Sequence, residues 1–366
     1  MRFSIEKDNI LSELQLLQGI VEKRNTMPIL ANILINSTEK EVEMTGTDLE
    51  VGLMTHFPAQ VDETGSITVS GKKLFEIVRS LSGNQVVTFR MSEEGILEII
   101  SGESQFKVLC MPKEDYPQVP EPDFQKKISL PLDIFQEMID RVYFAITQEQ
   151  RYYLNGALFN LEGSNIELIS TDGHRLAYTS FVADNIDIEE KISAIVSKKT
   201  LSELRKLENS VFDFDLDENN LFFKVKNRTL ISRIIEGKFP NYSAVIPKEN
   251  QKKVIFSREE ITDAIRRVAL LSTERSRGIK LNIENDQVRL FSSNPEIGEA
   301  RDKVSVEYDG DDIEVGFNSH YLLDFLTSVK SERVVFNMKD ENSAVLMKPE
   351  NDDEIRYLYV LMPMKI

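Results

Sequence analysis

Two periodicities of apolar positions alternate along the chain. "EVEMTGTDLEVGLMTHF" (41–57), "IELISTDGHRLAYTSF" (166–181) and "QVRLFSSNPEIGEARDKV" (287–304) each carry alternating runs on both sides of a polar turn. Successive strand side chains point to opposite faces, so these segments predict strand–turn–strand units. A helical period replaces the alternation in "VSGKKLFEIVRSL" (69–81), "VSKKTLSELRKL" (196–207) and "FNSHYLLDFLTSV" (317–329). Apolar residues there recur near i, i+3, i+4 and i+7, which predicts an amphipathic helix behind a short polar turn. Three further segments, 4–21, 129–146 and 254–271, begin as strands and become helices behind a polar or acidic first turn.

These matches make an internal repeat. Lys72, Lys73, Arg79 and Leu81 fall on Lys198, Lys199, Arg205 and Leu207 at a single displacement of 126, and Leu81 corresponds to Val329 in a weaker third copy. Leu14, Leu17 and Val21 lie over Ile139, Val142 and Ile146, and Ile139 and Val142 in turn over Ile265 and Val268. "SQFKVLCMPKEDYPQVP" (104–120), "TLISRIIEGKFPNYSAVIP" (229–247) and "EIRYLYVLMPMKI" (354–366) are strands that close on proline. The Pro- and charge-rich "PEPDFQKK" (120–127) and "PKENQKK" (247–253) mark the boundaries. Three α+β domains are expected, at 1–122, 123–249 and 250–366, each within the usual domain size.

Composition narrows the class. A chain of 366 residues exceeds what one core organises, and 41% hydrophobic with 29% charged residues is globular rather than disordered or fibrous. The first residues have no apolar core of a signal peptide, and no apolar run is membrane-length, so a soluble, cytoplasmic protein is expected. The single Cys110 makes neither an intrachain disulfide nor a cysteine-based zinc site, and no metal or cofactor is expected. The net charge of −17 argues against general nucleic-acid binding unless the basic residues gather on one face. Acid does cluster apart from them, in "DFDLDENN" (213–220) and "YDGDDIEV" (308–315).

"STDGHRLAYTS" (170–180) puts Thr171, Asp172, His174 and Arg175 together in the manner of an active site. Its copies, "GTDLEVGLMT" (46–55) and "SNPEIGEARD" (293–302), keep the turn and lose the His–Arg pair. His56, His174 and His320 are scattered, without metal-ligand spacing or a partnered nucleophile, so binding or structure outweighs catalysis here. "GSITVSGKK" (65–73) fails as a phosphate loop, with five residues between its glycines and Lys73 where a hydroxyl belongs. What it leaves is a basic helix start, Lys72 and Lys73, repeated as Lys198 and Lys199, which is either a phosphate contact or a solvated surface pair. Arg24, Arg151, Arg275 and Arg277 recur after the first helix of each copy. Beside Arg151, the aromatics of "QEQRYYLNG" (148–156) suit core, ligand platform or nucleic-acid contact. The apolar tail "YLYVLMPMKI" (357–366) either packs into the third core or lines a groove.

Three tandem copies together with "RYYLNG", "TDGHRLA" and the terminal "MPM" resemble the bacterial DNA polymerase III beta subunits, the DNA sliding clamps, over the whole chain. The resemblance implies three DNA-clamp domains, each of two helices backed by antiparallel sheets, in a head-to-tail dimeric ring around duplex DNA. It implies a processivity factor without catalysis, held on DNA by encirclement and opened by an ATP-driven clamp loader. DNA-facing positions would be Arg24, Lys72, Lys73, Gln148, Tyr152, Tyr153, Lys198 and Lys199. A groove for peptides of the polymerase III alpha subunit, the clamp loader delta subunit and other motif-bearing proteins would comprise Leu154, Thr171, Gly173, His174, Arg175, Leu176, Pro240, Val245, Val360, Met362, Pro363 and Met364. The dimer seam would join Phe106 to Leu270 and Leu271. Ala244 and the Lys-Ile terminus depart from many relatives, and the third copy has His320 and Tyr321 in place of the lysine pair. The competing readings are a hydrolase built on Asp172 and His174, and a scaffold that presents the groove without DNA.

Overall fold

The computed structural model describes residues 1–366 except 22–26, 84, 93–94, 125–127, 148–151, 185, 209 and 352–353, and except the side chain of Tyr152. Its α-helices are α1 (Lys7–Ile20), α2 (Gly71–Ser80), α3 (Leu132–Val142), α4 (Lys198–Leu204), α5 (Arg258–Ala269) and α6 (Ser319–Ser328). Each follows directly on a strand, at Arg2–Glu6, Gly65–Ser70, Ile128–Pro131, Ile188–Ser197, Lys252–Ser257 and Ile313–Asn318. The polar turn expected before α2 and α6 is therefore no turn. The last strand residue caps the helix: Ser70 Oγ accepts from the Lys73 N–H at 3.4 Å, and Asn318 Oδ1 from the His320 N–H at 3.0 Å.

Strand register corrects one detail of the repeat. Asn32 lies opposite Ser70, Gly156 opposite Ser197, and Gly278 opposite Asn318, so Ser70, Ser197 and Asn318 are equivalent helix starts. Lys199 thus corresponds to Lys72, and Lys198 to Gly71, a displacement of 127 rather than 126. The seven-residue α4 is shorter than the ten-residue α2, and the sequence match followed the leucines at the far end.

The described chain forms two compact units, Met1–Asp133 with Lys199–Ile234 and Ile134–Lys198 with Ile235–Ile366, so the division runs through the middle repeat. The first unit holds two antiparallel sheets. One is five-stranded, in the order Gln60–Glu63, Arg2–Glu6, Val86–Met91, Ile96–Ser101, Ser104–Leu109. The other is eight-stranded, in the order Ile128–Pro131, Val211–Leu216, Asn220–Val225, Arg228–Arg233, Val51–Pro58, Glu41–Thr47, Asn32–Ser37, Gly65–Ser70. Alternate residues Ile33, Ile35, Val42 and Met44 are fully buried, as are Ile10, Leu14 and Leu17 of α1. Each such side chain contributes roughly 1.5–3 kcal/mol on leaving water.

The second unit carries a twelve-stranded sheet. Its order is Ile188–Ser197, Gly156–Gly163, Asn165–Thr171, Arg175–Val182, Arg356–Leu361, Val345–Pro349, Arg333–Met338, Lys252–Ser257, Gly298–Glu307, Gln287–Asn294, Gly278–Glu284, Ile313–Asn318. Sheet continuity between repeats is the main structural fact. Strand Arg228–Arg233 of the second repeat pairs with Val51–Pro58 of the first. Strand Arg356–Leu361 of the third pairs with Arg175–Val182 of the second.

Buried charges pin both seams. At the first, the Glu13 carboxylate of α1 accepts from Arg228 Nε at 2.9 Å and Nη2 at 2.6 Å, and from Thr55 Oγ1 at 2.6 Å. At the second, Arg141 of α3 donates from Nη1 to the Ile355 carbonyl at 2.9 Å and from Nη2 to Glu137 at 2.7 Å. Removing one member of such a pair strands the other charge in low dielectric. Arg228 is half-buried, so Glu13→Ala is expected to cost about 1.5–3 kcal/mol in urea denaturation, with Arg228→Leu added to it restoring part of the loss. A Glu13→Ala chain as stable as the parent would refute the role given to this pair.

Candidate functional site

The "TDGHR" turn is a hydrogen-bonded unit in which the aspartate is fully occupied. Asp172 Oδ1 accepts from the backbone N–H groups of His174 at 3.0 Å and Arg175 at 3.1 Å, and Oδ2 from Arg175 Nε at 2.9 Å. Thr171 Oγ1 donates to the Arg175 carbonyl at 2.6 Å and accepts from the Gly173 N–H at 3.1 Å. Gly173 has φ 90°, a left-handed position that glycine adopts without strain. The first repeat builds the same turn. Asp48 Oδ1 accepts from Glu50 and Val51 N–H at 2.9 and 2.7 Å, and Thr47 Oγ1 donates to the Val51 carbonyl at 3.1 Å. A carboxylate so committed does not serve as a general base.

Arg175 is a buried brace. It donates to Asp324 at 2.5 Å and to the Phe144 carbonyl at 2.6 Å, and lies 4.2 Å from the Tyr321 ring centroid. Burial works against its charge, but Tyr359, Asp324 and Asp172 outweigh that effect and hold the guanidinium protonated. Of the expected groove residues it is the buried charged one.

Leu154, Leu176 and Val360 do come together, in one apolar cluster with Leu158, Ile169, Tyr178, Ile195, Ile235, Phe239 and Leu358. Register explains this: Leu176 lies opposite Val360 and Tyr178 opposite Leu358 on adjacent strands. Val245 is exposed at the end of the short turn Tyr242–Ala244, and Pro240 is exposed beside buried Phe239. The Met362 N–H donates to the His174 carbonyl at 3.0 Å, which ties the C-terminal strand's continuation to the turn. Beyond it the tail divides between the two alternatives read from sequence. Met362 is exposed beside the turn, whereas the Met364 N–H donates to the Gly316 carbonyl at 2.9 Å and Ile366 packs over Gly278 and Gly316. Pro363 and Met364 are half-buried. A cavity of about 430 Å³ adjoins the cluster, lined by Ala244, Ile246, Lys248, Asn250, Lys339 and Ala344.

Sequence reading missed the polar support under this wall. The Glu167 carboxylate accepts from Tyr178 OH at 2.7 Å, Tyr242 OH at 2.9 Å and Asn160 Nδ2 at 3.0 Å. Burial raises its pKa, but these hydrogen bonds outweigh burial and leave it below the ordinary glutamate value. Burial and then the bond to Glu167 raise the Tyr178 hydroxyl to about 12. The period-2 spacing of Leu176 with Tyr178 and of Leu358 with Val360 was the available signal for the cluster.

The basic positions separate into two kinds. Lys72 and Lys73 are 63% and 64% exposed at the start of α2, each loosely paired with Glu76, at 3.8 and 2.9 Å. Lys198 and Lys199 are engaged within the fold. Lys198 Nζ donates to the Ile146 carbonyl at 2.8 Å and sits 5.1 Å from the Tyr143 ring centroid. Burial and then the Arg175 charge push its ammonium below the ordinary lysine value. Lys199 Nζ donates to the Ile20 carbonyl at 2.8 Å and pairs with Asp48. In the third repeat Arg277 contacts His320 Nδ1 at 2.7 Å at the start of α6. Tyr153 is partly buried, packing against the apolar cluster and over Gly237. Arg24, Gln148, Arg151 and the side chain of Tyr152 lie outside the described residues. Among the described residues no His, Cys, Asp and Glu group could hold a metal, and no helix is long and apolar enough to cross a membrane.

Models of the DNA polymerase III beta subunit match the chain in three consecutive pieces, the N-terminal domain over residues 1–120, the central domain over 129–241 and the C-terminal domain over 243–365. The beta sliding clamp of Pseudomonas aeruginosa is 36% identical over 372 residues, covering 100% of both chains. The crystal structure of the Pseudomonas aeruginosa DNA polymerase III beta subunit superposes with a TM-score of 0.95 at 35% identity over 100% of both chains. A Bartonella birtlesii sliding clamp bound to griselimycin gives 0.95 at 33% identity, again over 100% of both. The fold is thus the three-domain clamp, and a hydrolase reading of Asp172 and His174 is set aside. Matched end to end in sequence and in structure, the chain belongs to the DNA polymerase III beta subunit family, the beta sliding clamps, which are non-catalytic processivity subunits of DNA replication.

Proposed function

We propose that two copies of this chain close head to tail into a cytoplasmic ring that encircles duplex DNA and tethers the replicative polymerase to it, with domains at 1–122, 123–249 and 250–366. The observation that carries the dimer is the pattern of strand edges. Both seams within the chain join the last strand of one repeat to the second hairpin strand of the repeat before it. By the same rule Gly298–Glu307 of the third repeat and Ser104–Leu109 of the first are left to find each other on a second copy. Ser104–Leu109 has a neighbour on one side, and Gly298–Ser305 pairs on one edge with Gln287–Asn294. Unpaired edges are sites of strand addition, and apolar residues stand exposed nearby, Leu109 at 82% and Leu270 at 78%. Phe106 lies on the first edge strand, and Leu271 follows Leu270 at the end of α5.

DNA contact rests on Lys72 and Lys73, with Arg24, Gln148 and Tyr152 as further family-implied positions. Lys198 and Lys199 contribute field rather than free ammonium groups, since both are spent on carbonyls and on Asp48. Two chains carry twice the charge of −17, so phosphate attraction must be local, weak and sequence-independent, which suits sliding. Encirclement then supplies retention. The apolar cluster beside the His174 turn receives the linear motif of the alpha subunit, the loader's delta subunit and other partners. Its aliphatic and aromatic lining suits an anchoring hydrophobic residue.

Leu270→Asp is expected to raise the dimer dissociation constant by at least about tenfold, read as a fall in mass by sedimentation equilibrium; an unchanged mass would move the seam elsewhere. Replacing both Lys72 and Lys73 with Glu is expected to weaken duplex binding and to lower the slope of log affinity against log salt by about one per lysine. Wild-type salt dependence would remove these lysines from the DNA face. Deleting Met362–Ile366 is expected to abolish binding of a motif peptide in fluorescence anisotropy while sedimentation still reports the dimer, and retained peptide affinity would defeat the groove assignment.

A further inference from the structure

One sheet face recurs in all three repeats and is chemically inverted in the third. On the side turned away from α1, α3 and α5, Asn36, Asn160 and Asn282 occupy equivalent register positions, opposite Glu43, Glu167 and Arg289 respectively. The next positions correspond as well. Leu34 and Leu158 give way to Lys280, Met54 and Tyr178 to Arg301, and His56 and Ser180 to Lys303, by the same ladders.

The first two repeats already seat an extended segment on this face. In the first, the Met111 N–H donates to the Thr68 carbonyl at 3.0 Å, and Tyr116 and Val119 then line a cavity with Leu34, Glu43 and Met54. In the second, the Ile235 N–H donates to the Ile195 carbonyl at 3.1 Å, and Phe239 and Tyr242 pack on the cluster. The seated tyrosine donates each time, Tyr116 OH to the Thr45 carbonyl at 3.0 Å and Tyr242 OH to Glu167 at 2.9 Å. The third repeat starts the same way, with Met364 on Gly316, but the rest of its face is an open cavity of about 670 Å³.

Its lining has exchanged one carboxylate and mostly apolar or neutral positions for cations. Lys280, Arg289, Arg301 and Lys303 surround Phe291, against Asp302 and Glu314. Glu314 pairs with Lys280 at 2.7 Å, while Asp302 is drawn to Arg267 at 2.7 Å. Glu284 and Glu299 hold Arg289 and Arg301 at 3.2 and 3.1 Å in solvent-exposed pairs, which cost little to exchange. Asn282 shows what is missing. Its counterparts accept at Oδ1 from Ser66 Oγ and from Ser193 Oγ, but Glu314 takes the serine's place and the buried Oδ1 of Asn282 has no partner among the described residues. Arg301 lies 5.5 Å from the centroid of the Phe291 ring and covers it, so that ring is no open platform for a base.

We infer that this face is a second docking groove, which takes an acidic, extended segment of a protein partner with its carboxylates on Arg289, Arg301 and Lys303. It is separate from the apolar groove, and it uses the face of Gly298–Glu307 rather than the free edge invoked for the dimer. The test is fluorescence anisotropy on the full chain, with a fluorescein-labelled Glu-rich peptide bearing one Phe, at low salt. Saturable binding is expected, weakening as salt rises. Combined Arg289→Glu and Lys303→Glu is expected to lower affinity at least about tenfold, with the Arg289→Gln, Lys303→Gln chain in between. Met362→Ala, which alters the exposed methionine beside the His174 turn, should leave it in place. No saturable binding, or equal binding by the reversed-charge chain, would overturn the proposal. So would loss of binding in the Met362→Ala chain, or tighter binding of an oligo-dT probe with the same charge sensitivity. Thermal melting of each variant by circular dichroism separates loss of the site from loss of the fold.

Discussion

An unpaired strand edge carries a row of backbone donors and acceptors that must be satisfied, and in this chain each repeat satisfies the edge of its neighbour. Arg228–Arg233 completes Val51–Pro58, and Arg356–Leu361 completes Arg175–Val182. Because the pairing is always between the same two strands of the repeat, it is directional, and a directional seam repeated along a chain leaves one free partner at each end. The side chains at the seams follow from this. Glu13 with Arg228, and Arg141 with the Ile355 carbonyl, are placed where strand pairing alone would allow one element to slide along the other. A misplaced register buries an unpaired charge, so these contacts select the alignment.

The aspartate turn belongs to the same construction. Asp48 and Asp172 each organise a tight turn with one carboxylate oxygen and give the other to a cation, Lys199 in one case and Arg175 in the other. Arg175 then reaches Asp324 of the third repeat, so the turn that looks catalytic is a fastening between repeats. Its carbonyl at His174 holds Met362, and the exposed methionine beside the apolar cluster depends on that hold. The aspartate of this turn is unavailable as a base because both of its carboxylate oxygens are already bonded.

The repeat, its strand-to-helix order and the apolar faces were legible in the sequence, because each rests on periodicity. Leu14 and Leu17, or Leu176 and Tyr178, declare their faces by spacing alone. What was not legible rests on register and on long-range pairing. The one-residue slip that aligns Lys199 with Lys72 appears only when Ser197 is seen opposite Gly156. Lys198 and Lys199 looked like the surface pair at 72–73, and nothing local reveals that the Ile146 and Ile20 carbonyls lie within reach. Tyr153 is a related case: an aromatic next to a basic residue has the same local sequence whatever it packs on, and nothing local reveals the apolar cluster against it. Glu167 drew no attention as one acid in an alternating strand, yet two tyrosines and an asparagine converge on it.

Divergence between the repeats is therefore more informative than their similarity. The positions they share, the direct strand-to-helix junctions and the aspartate turns of the first two, answer to backbone geometry and say little about partners. The positions that differ lie mostly on the solvent side, where no packing constraint demands a particular residue. There the first repeat is mixed, the second apolar with a buried carboxylate, and the third cationic, although their strands are in identical register. Stability does not require that difference: the exposed ion pairs on the third face contribute little, and Asn282 forgoes the hydrogen bond its counterparts make. A scaffold that holds its backbone constant through three copies while changing the charge of one face in each can present distinct surfaces to different ligands at fixed positions.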